Sequence, residues 1–92
     1  MITISYSWSL LFGTPDEAIT HGIIPEASAE RFEAQVRKRV QLITRDECQF
    51  RPSSKGIRIK GCDKKMEEKI RSIILQVANS GKFYQFTYDL SR

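Results

Sequence analysis

The chain has 92 residues, of which 40% are hydrophobic and 28% charged, and its formal net charge is +4. This length predicts a single α/β domain over residues 1–92, with too small an interior for a large enclosed active site. No run approaches the roughly 20 apolar residues of a membrane span, and no basic segment followed by an apolar run begins the chain, so we expect a cytoplasmic protein without a membrane partner.

Residues 2–10 alternate strictly between apolar side chains and the hydroxyl side chains of Ser and Thr. A period of two predicts a strand with one buried face, since successive side chains of a strand point to opposite sides. The predicted buried face consists of Ile2, Ile4, Tyr6, Trp8 and Leu10.

Two long helices and one short helix follow from the periodicity and the capping residues. Thr14-Pro15-Asp16 predicts the start of a short helix that ends at Gly22. The first long helix should run from about Glu26 or Ala29 to Ile43, and the second should begin after Asp63 and end at Gly81. Apolar side chains recur on one side of the first long helix at Phe32, Val36, Val40 and Ile43, and of the second at Met66, Ile70, Ile73, Ile74 and Val77.

Three further segments alternate like strands. Residues 47–51 and 57–60 flank a turn and predict a β-hairpin, and residues 82–90 predict a last strand. The element order is therefore β-α-β-β-α-β, which predicts an α+β, ferredoxin-like fold. Its four-stranded antiparallel sheet would carry two main helices on one face. The opposite face would then be open and would present Thr3, Ser5, Ser7, Ser9, Gln49, Arg51, Arg58, Lys60, Phe83, Gln85 and Thr87.

The residues that could carry catalysis or bind a metal are few. The chain has one histidine, His21, and thirteen residues separate its two cysteines, Cys48 and Cys62. These spacings predict no catalytic residue, metal site, cofactor or small-molecule substrate. They favour two free cysteines that act as small apolar side chains in a reducing compartment. An enzyme of the acylphosphatase type shares the predicted fold, but the segment from Phe12 to Asp16 lacks the Gly-rich, Arg-bearing loop of those enzymes.

Basic residues are concentrated in the second part of the chain. Residues 1–30 hold four acidic residues and no Lys or Arg, so all 15 Lys and Arg lie in residues 31–92. Such asymmetry predicts one basic surface that attracts an acidic partner. The predicted contact residues for phosphates or carboxylates are Arg51, Lys55, Arg58, Lys60, Lys64 and Lys65. The alternative is a solvated hairpin whose lysines protect a strand edge.

The predicted open face lacks the aromatic side chains on which RNA-recognition domains stack bases. Those domains carry aromatics on their first and third strands, where this chain has Ser, Thr, Arg and Lys, and Phe83 alone could stack. Contact with phosphates, or with an acidic protein surface, fits the pattern better than reading of a base sequence.

The whole chain, beginning with ITISYSWSLLFGTPDEAITHGIIPEASAERFEAQVRKRV, resembles a phage-encoded anti-CRISPR protein of the type I-F inhibitor kind. The resemblance lies in overall sequence character and not in a shared motif, so it transfers no residue roles. It implies an inhibitor in the infected bacterial cell that binds subunits of the crRNA-guided surveillance (Csy) complex and stops it from binding target DNA. The positive charge departs from the acidic DNA mimics of that kind and favours contact with the crRNA backbone or acidic protein patches. A free-standing nucleic-acid-binding module or regulator is the alternative.

Overall fold

A computed structural model describes residues 1–12, 15–54 and 56–86 of the chain. Three strands and four helices form in these ranges, and α1 and α2 are short. In chain order they are β1 (Ile2–Tyr6), α1 (Ser9–Phe12), α2 (Pro15–Thr20), α3 (Pro25–Thr44), β2 (Cys48–Pro52), β3 (Ile57–Lys60) and α4 (Lys64–Ser80).

The sheet has three strands in the order β2-β1-β3, with β2 parallel and β3 antiparallel to β1. The predicted ferredoxin-like, four-stranded antiparallel sheet is therefore wrong, although the α+β class is compatible with this fold. The predicted β2–β3 hairpin is also wrong, because β1 lies between the two strands. The link after β2 passes the end of β1, where the Ser53 N–H donates to the Tyr6 carbonyl at 3.0 Å.

The central position of β1 follows from its side chains. Ile2 and Ile4 are fully buried and Tyr6 nearly so, whereas in β2 and β3 the buried residues are Cys48 and Ile59. A strand whose whole inner face is apolar would lose the most buried apolar surface at an edge of the sheet. This loss matters because burial of each large apolar side chain stabilises the fold by about 1.5–3 kcal/mol.

The first strand is shorter than the alternation predicts, since it ends at Tyr6 instead of continuing to residue 10. The Ser7 hydroxyl accepts a hydrogen bond from the Ser9 N–H at 3.2 Å, and the Leu11 N–H donates to the Trp8 carbonyl at 2.9 Å. Serine side chains that bond nearby backbone groups compete with strand pairing and favour helix starts. The chain therefore turns into α1 at this point.

The long helices agree closely with their predictions. Phe32, Val36 and Val40 of α3 are fully buried, but Ile43 is 44% exposed and does not belong to the buried stripe. The Asp63 carboxylate accepts from the Met66 N–H at 2.8 Å and caps α4. This second long helix ends at Gly81, whose φ of 67° lies in the left-handed region that glycine adopts readily.

The short helix also begins at the predicted proline, Pro15, and is followed by Gly22 with a φ of 75°. Thr14, part of the predicted helix start, lies outside the described residues.

The predicted last strand does not join the sheet in its described part, residues 82–86. This segment pairs instead with the chain before α3, where the Ile24 N–H donates to the Gln85 carbonyl at 2.8 Å. Arg31 of α3 donates to the Tyr84 carbonyl at 3.0 Å and holds the segment against the helix. The remaining predicted strand residues, including Thr87, Tyr88 and Leu90, lie outside the described residues.

Phe83 has a different position from the predicted one. It was expected on the open sheet face, but it is fully buried, with its ring 5.3 Å from that of Phe32. The segment that carries it lies beside the helices, where the phenyl ring fills the core next to α3.

We predict that Phe32→Ala lowers the free energy of unfolding by about 3–5 kcal/mol, because it leaves a cavity at the centre of the core. Leu42→Ala, on the same helix at a position 79% exposed, should change it by no more than about 0.5 kcal/mol. Urea denaturation followed by circular dichroism measures both. Equal losses in the two variants would contradict the placement of α3.

Candidate functional site

One face of the sheet carries no helix among the described residues and presents two rows of side chains, and we call it the open face. Because Ile2, Ile4 and Tyr6 point toward the helices, Thr3 and Ser5 point to the other side. The strand register places the neighbours of these two residues beside them. The first row is Gln49, Thr3 and Lys60, and the second row is Arg51, Ser5 and Arg58.

The open face is strongly basic. It carries the three cations Arg51, Arg58 and Lys60, all exposed, and the three strands contain no acidic residue. Arg51 and Arg58 flank one strand, so their Cα atoms lie about 10 Å apart, and the two rows are about 7 Å apart. None of these three cations forms an ion pair with another described residue; the ion pair in that part of the chain joins Arg71 and Glu67 on α4.

The structure divides the predicted contact residues into two groups. Arg51, Arg58 and Lys60 lie together on the open face. Lys64 and Lys65 are exposed in the first turn of α4, in the helical layer behind the sheet, so they do not extend the open face. Lys55 lies outside the described residues.

The serine hydroxyls predicted on the open sheet face are also divided. Ser5 lies on the open face, as predicted. Ser7 and Ser9 follow the end of the strand, and their hydroxyls are hydrogen-bonded to each other at 2.9 Å. The hydroxyls of Thr3 and Ser5 therefore are the ones placed between the cations.

A cleft that the sequence did not predict lies where the parallel strands β1 and β2 end. It has a volume of about 280 Å³ and is lined by Tyr6, Trp8, Glu33, Phe50, Arg51 and Pro52. Ligands of parallel sheets commonly bind beyond the carboxyl ends of strands. In the sequence, the cleft is indicated by the connection from β1 through α3 to a parallel β2. The predicted β2–β3 hairpin excluded this pairing, so the cleft was not expected.

A tyrosine and a carboxylate are hydrogen-bonded in the cleft. The Tyr6 hydroxyl donates to Glu33 Oε2 at 2.9 Å. Burial, together with the adjacent negative charge and hydrogen bond of Glu33, raises the pKa of Tyr6 far above its ordinary value. The phenol therefore stays neutral and keeps donating to Glu33 over the whole physiological pH range.

Phe50, which lines the cleft, contacts another aromatic ring and a guanidinium. The rings of Tyr6 and Phe50 meet edge to face, with centroids 6.1 Å apart. The guanidinium of Arg37, from α3, lies 5.2 Å from the centroid of Phe50. This cation–π contact gives the neighbourhood of Phe50 a fixed positive charge.

Other groups that could carry chemistry are dispersed. Cys48 and Cys62 are free thiols, and burial raises the pKa of both, so they stay protonated at neutral pH. His21 is exposed in the turn after α2. In residues 1–12, 15–54 and 56–86 no three His, Cys, Asp or Glu side chains are grouped as metal ligands would be. Among the same residues no helix has the length and hydropathy needed to cross a membrane.

Comparison with known proteins gives no matching family model, no matching curated protein and no matching solved structure.

We predict that Tyr6→Phe leaves the alkaline absorbance titration of the folded protein unchanged near pH 10, because Tyr6 is still neutral there. The unfolded chain releases this proton near pH 10, so the contribution of Tyr6 to stability is complete below about pH 10 and is lost as the pH rises toward its folded pKa. Ultraviolet absorbance of tyrosinate measures the titration. Since the chain has three tyrosines, loss of about one third of the amplitude in the variant would contradict this assignment.

Proposed function

We propose that this chain is a binding protein that takes the sugar-phosphate backbone of a nucleic acid on its open face. The observation that carries the proposal is the set of three exposed cations, Arg51, Arg58 and Lys60, without an acidic residue in any of the three strands. Cations that form no ion pair with another described residue, and that the strand register holds at fixed spacing, are available to phosphates without first breaking such a pair.

The chemistry of the two rows favours phosphate. Each guanidinium of Arg51 and Arg58 can donate two parallel hydrogen bonds to phosphate oxygens. Between the cations, the hydroxyls of Thr3 and Ser5 supply the kind of donors that commonly contact phosphates and sugars. No aromatic side chain belongs to either row, so this face suits backbone contact and not the stacking of bases.

Because the chain resembles type I-F anti-CRISPR inhibitors, we propose that the sugar-phosphate backbone is that of the crRNA in the surveillance complex. In that function the open face contacts the phosphates of the crRNA, or acidic patches beside it, within the surveillance complex. Occupation of the complex in this way prevents target DNA from pairing. The net charge of +4 and the basic open face support contact with RNA over mimicry of DNA.

The basic open face equally supports a second function, that of a free-standing nucleic-acid-binding module. The two functions differ in their target. The inhibitor requires the assembled surveillance complex, whereas the module binds naked RNA or DNA with an affinity that falls steeply with salt. Titration of the protein against the purified complex and against its free crRNA distinguishes them.

We predict that the double substitution Arg58→Glu, Lys60→Glu weakens binding to the preferred target by at least about tenfold, because two phosphate contacts become repulsive. On single-stranded RNA the slope of log affinity against log salt should decrease in magnitude by about 1.4. The matched control is Lys38→Glu, Arg39→Glu, which makes the same charge change at two exposed positions of α3.

Fluorescence anisotropy with labelled RNA, and inhibition of target DNA binding by the complex, measure the effect, and circular dichroism checks the fold. If the open-face double variant and the α3 double variant bind and inhibit alike, the assignment of the open face is wrong.

A further inference from the structure

The cleft at the ends of β1 and β2 has the size and walls for one small planar ring. Its volume of about 280 Å³ lies just below the range of roughly 300–1,000 Å³ that holds drug-sized ligands. Tyr6, Trp8 and Phe50 contribute aromatic surface to it. Aromatic side chains in such clefts stack with unpaired nucleobases, and each stacked base contributes about 1–3 kcal/mol.

Among the polar groups that line the cleft, the Glu33 carboxylate is a hydrogen-bond acceptor. Glu33 Oε2 already accepts from the Tyr6 hydroxyl, which fixes the carboxylate in place. A carboxylate has about four lone-pair sites on its two oxygens, so it can accept further hydrogen bonds from a ligand. The matching ring therefore presents adjacent N–H donors. Among the nucleobases guanine does so, with its N1–H and N2–H₂ groups side by side.

The charges around the cleft argue against a cationic ligand, which an aromatic site with a carboxylate could otherwise attract. The guanidinium of Arg37 already lies over Phe50, and Arg51 lines the cleft. A cationic ligand would be repelled by both of these positive charges. A nucleotide instead brings a neutral ring for the aromatic walls and a phosphate for Arg51.

Arg51 also connects the cleft to the open face, since it lines the cleft and belongs to the second row of the open face. A nucleic-acid chain whose phosphates lie on the open face can therefore turn one of its bases over the edge strand β2 and into the cleft.

We propose that the cleft binds one unstacked guanine base, stacked against Trp8 and Phe50 and hydrogen-bonded to the Glu33 carboxylate, with its phosphate on Arg51. This inference deepens the proposed function and rests on it for the position of the strand. It adds base selectivity, which the open face alone does not provide.

The experiment uses the fluorescence of Trp8, the single tryptophan of the chain. A short oligouridylate with one central guanosine is titrated against the same oligonucleotide with a central adenosine, and against one with inosine, which lacks the N2 amino group. We expect guanosine to quench Trp8 and to bind about tenfold more tightly than adenosine, as for one good bidentate base contact. Inosine should lie between the two.

The Glu33→Gln variant should bind the guanosine and adenosine oligonucleotides equally, because it loses the second acceptor oxygen but keeps one for Tyr6. Glu30→Gln, at an exposed position of the same helix, is the matched control and should retain the preference. The preference should also survive Arg58→Glu, Lys60→Glu, which lowers both affinities together.

Equal binding of guanosine and adenosine by the unmodified protein would overturn the inference while leaving backbone binding on the open face intact. A guanosine preference that survives Glu33→Gln would also overturn it, and so would stronger quenching by a trimethyllysine peptide than by guanosine monophosphate. Conversely, Glu33-dependent quenching by guanosine monophosphate without any oligonucleotide binding would support the cleft and defeat the function of a free-standing nucleic-acid-binding module. Absence of quenching by every nucleotide probe would overturn the inference.

Discussion

Burial of one face of β1 is the interaction on which the rest of the structure depends. Ile2 and Ile4 contribute about 1.5–3 kcal/mol each when they pack beneath the helices, and Tyr6 is buried on the same face. Because the pleat has a period of two, their burial directs Thr3 and Ser5 to the opposite side of the sheet. A slip of the strand by one residue would exchange the two faces and bury the hydroxyls, so the apolar side chains fix the register strongly.

Both candidate binding features follow from the central position of this strand. With β2 and β3 on its two sides, the cations of the edge strands lie in rows with Thr3 and Ser5 and form the open face. The parallel pairing of β1 and β2 also brings their carboxyl ends together, and the cleft with Tyr6 and Glu33 lies there. Arg51 belongs to both features. Under the proposed function, one nucleic-acid strand could therefore contact the open face and the cleft at once.

The sequence predicted local features better than pairing partners. The alternation of side chains along a strand correctly predicted that Arg58 and Lys60 lie on the open face. The helix cap at Asp63 was also predicted correctly, because capping depends on residues that are neighbours in the sequence. Which strands pair is a non-local property that alternation does not encode, so the hairpin and the fourth strand were wrong. Phe83 was misplaced for the same reason, and the cleft was missed because it requires the parallel pairing. The serine turn at Ser7 shortened a strand whose alternation was otherwise regular.

In the sheet β1 separates β2 from β3, and nuclear Overhauser contacts in a labelled sample test this strand order most directly. We expect contacts between the backbone protons of Ser5 and those of both Arg51 and Arg58, with none between the backbone protons of Arg51 and Arg58 themselves. A continuous ladder of contacts joining β2 to β3 would contradict it, since the cations would then lie on adjacent strands and neither the two rows nor the cleft would exist.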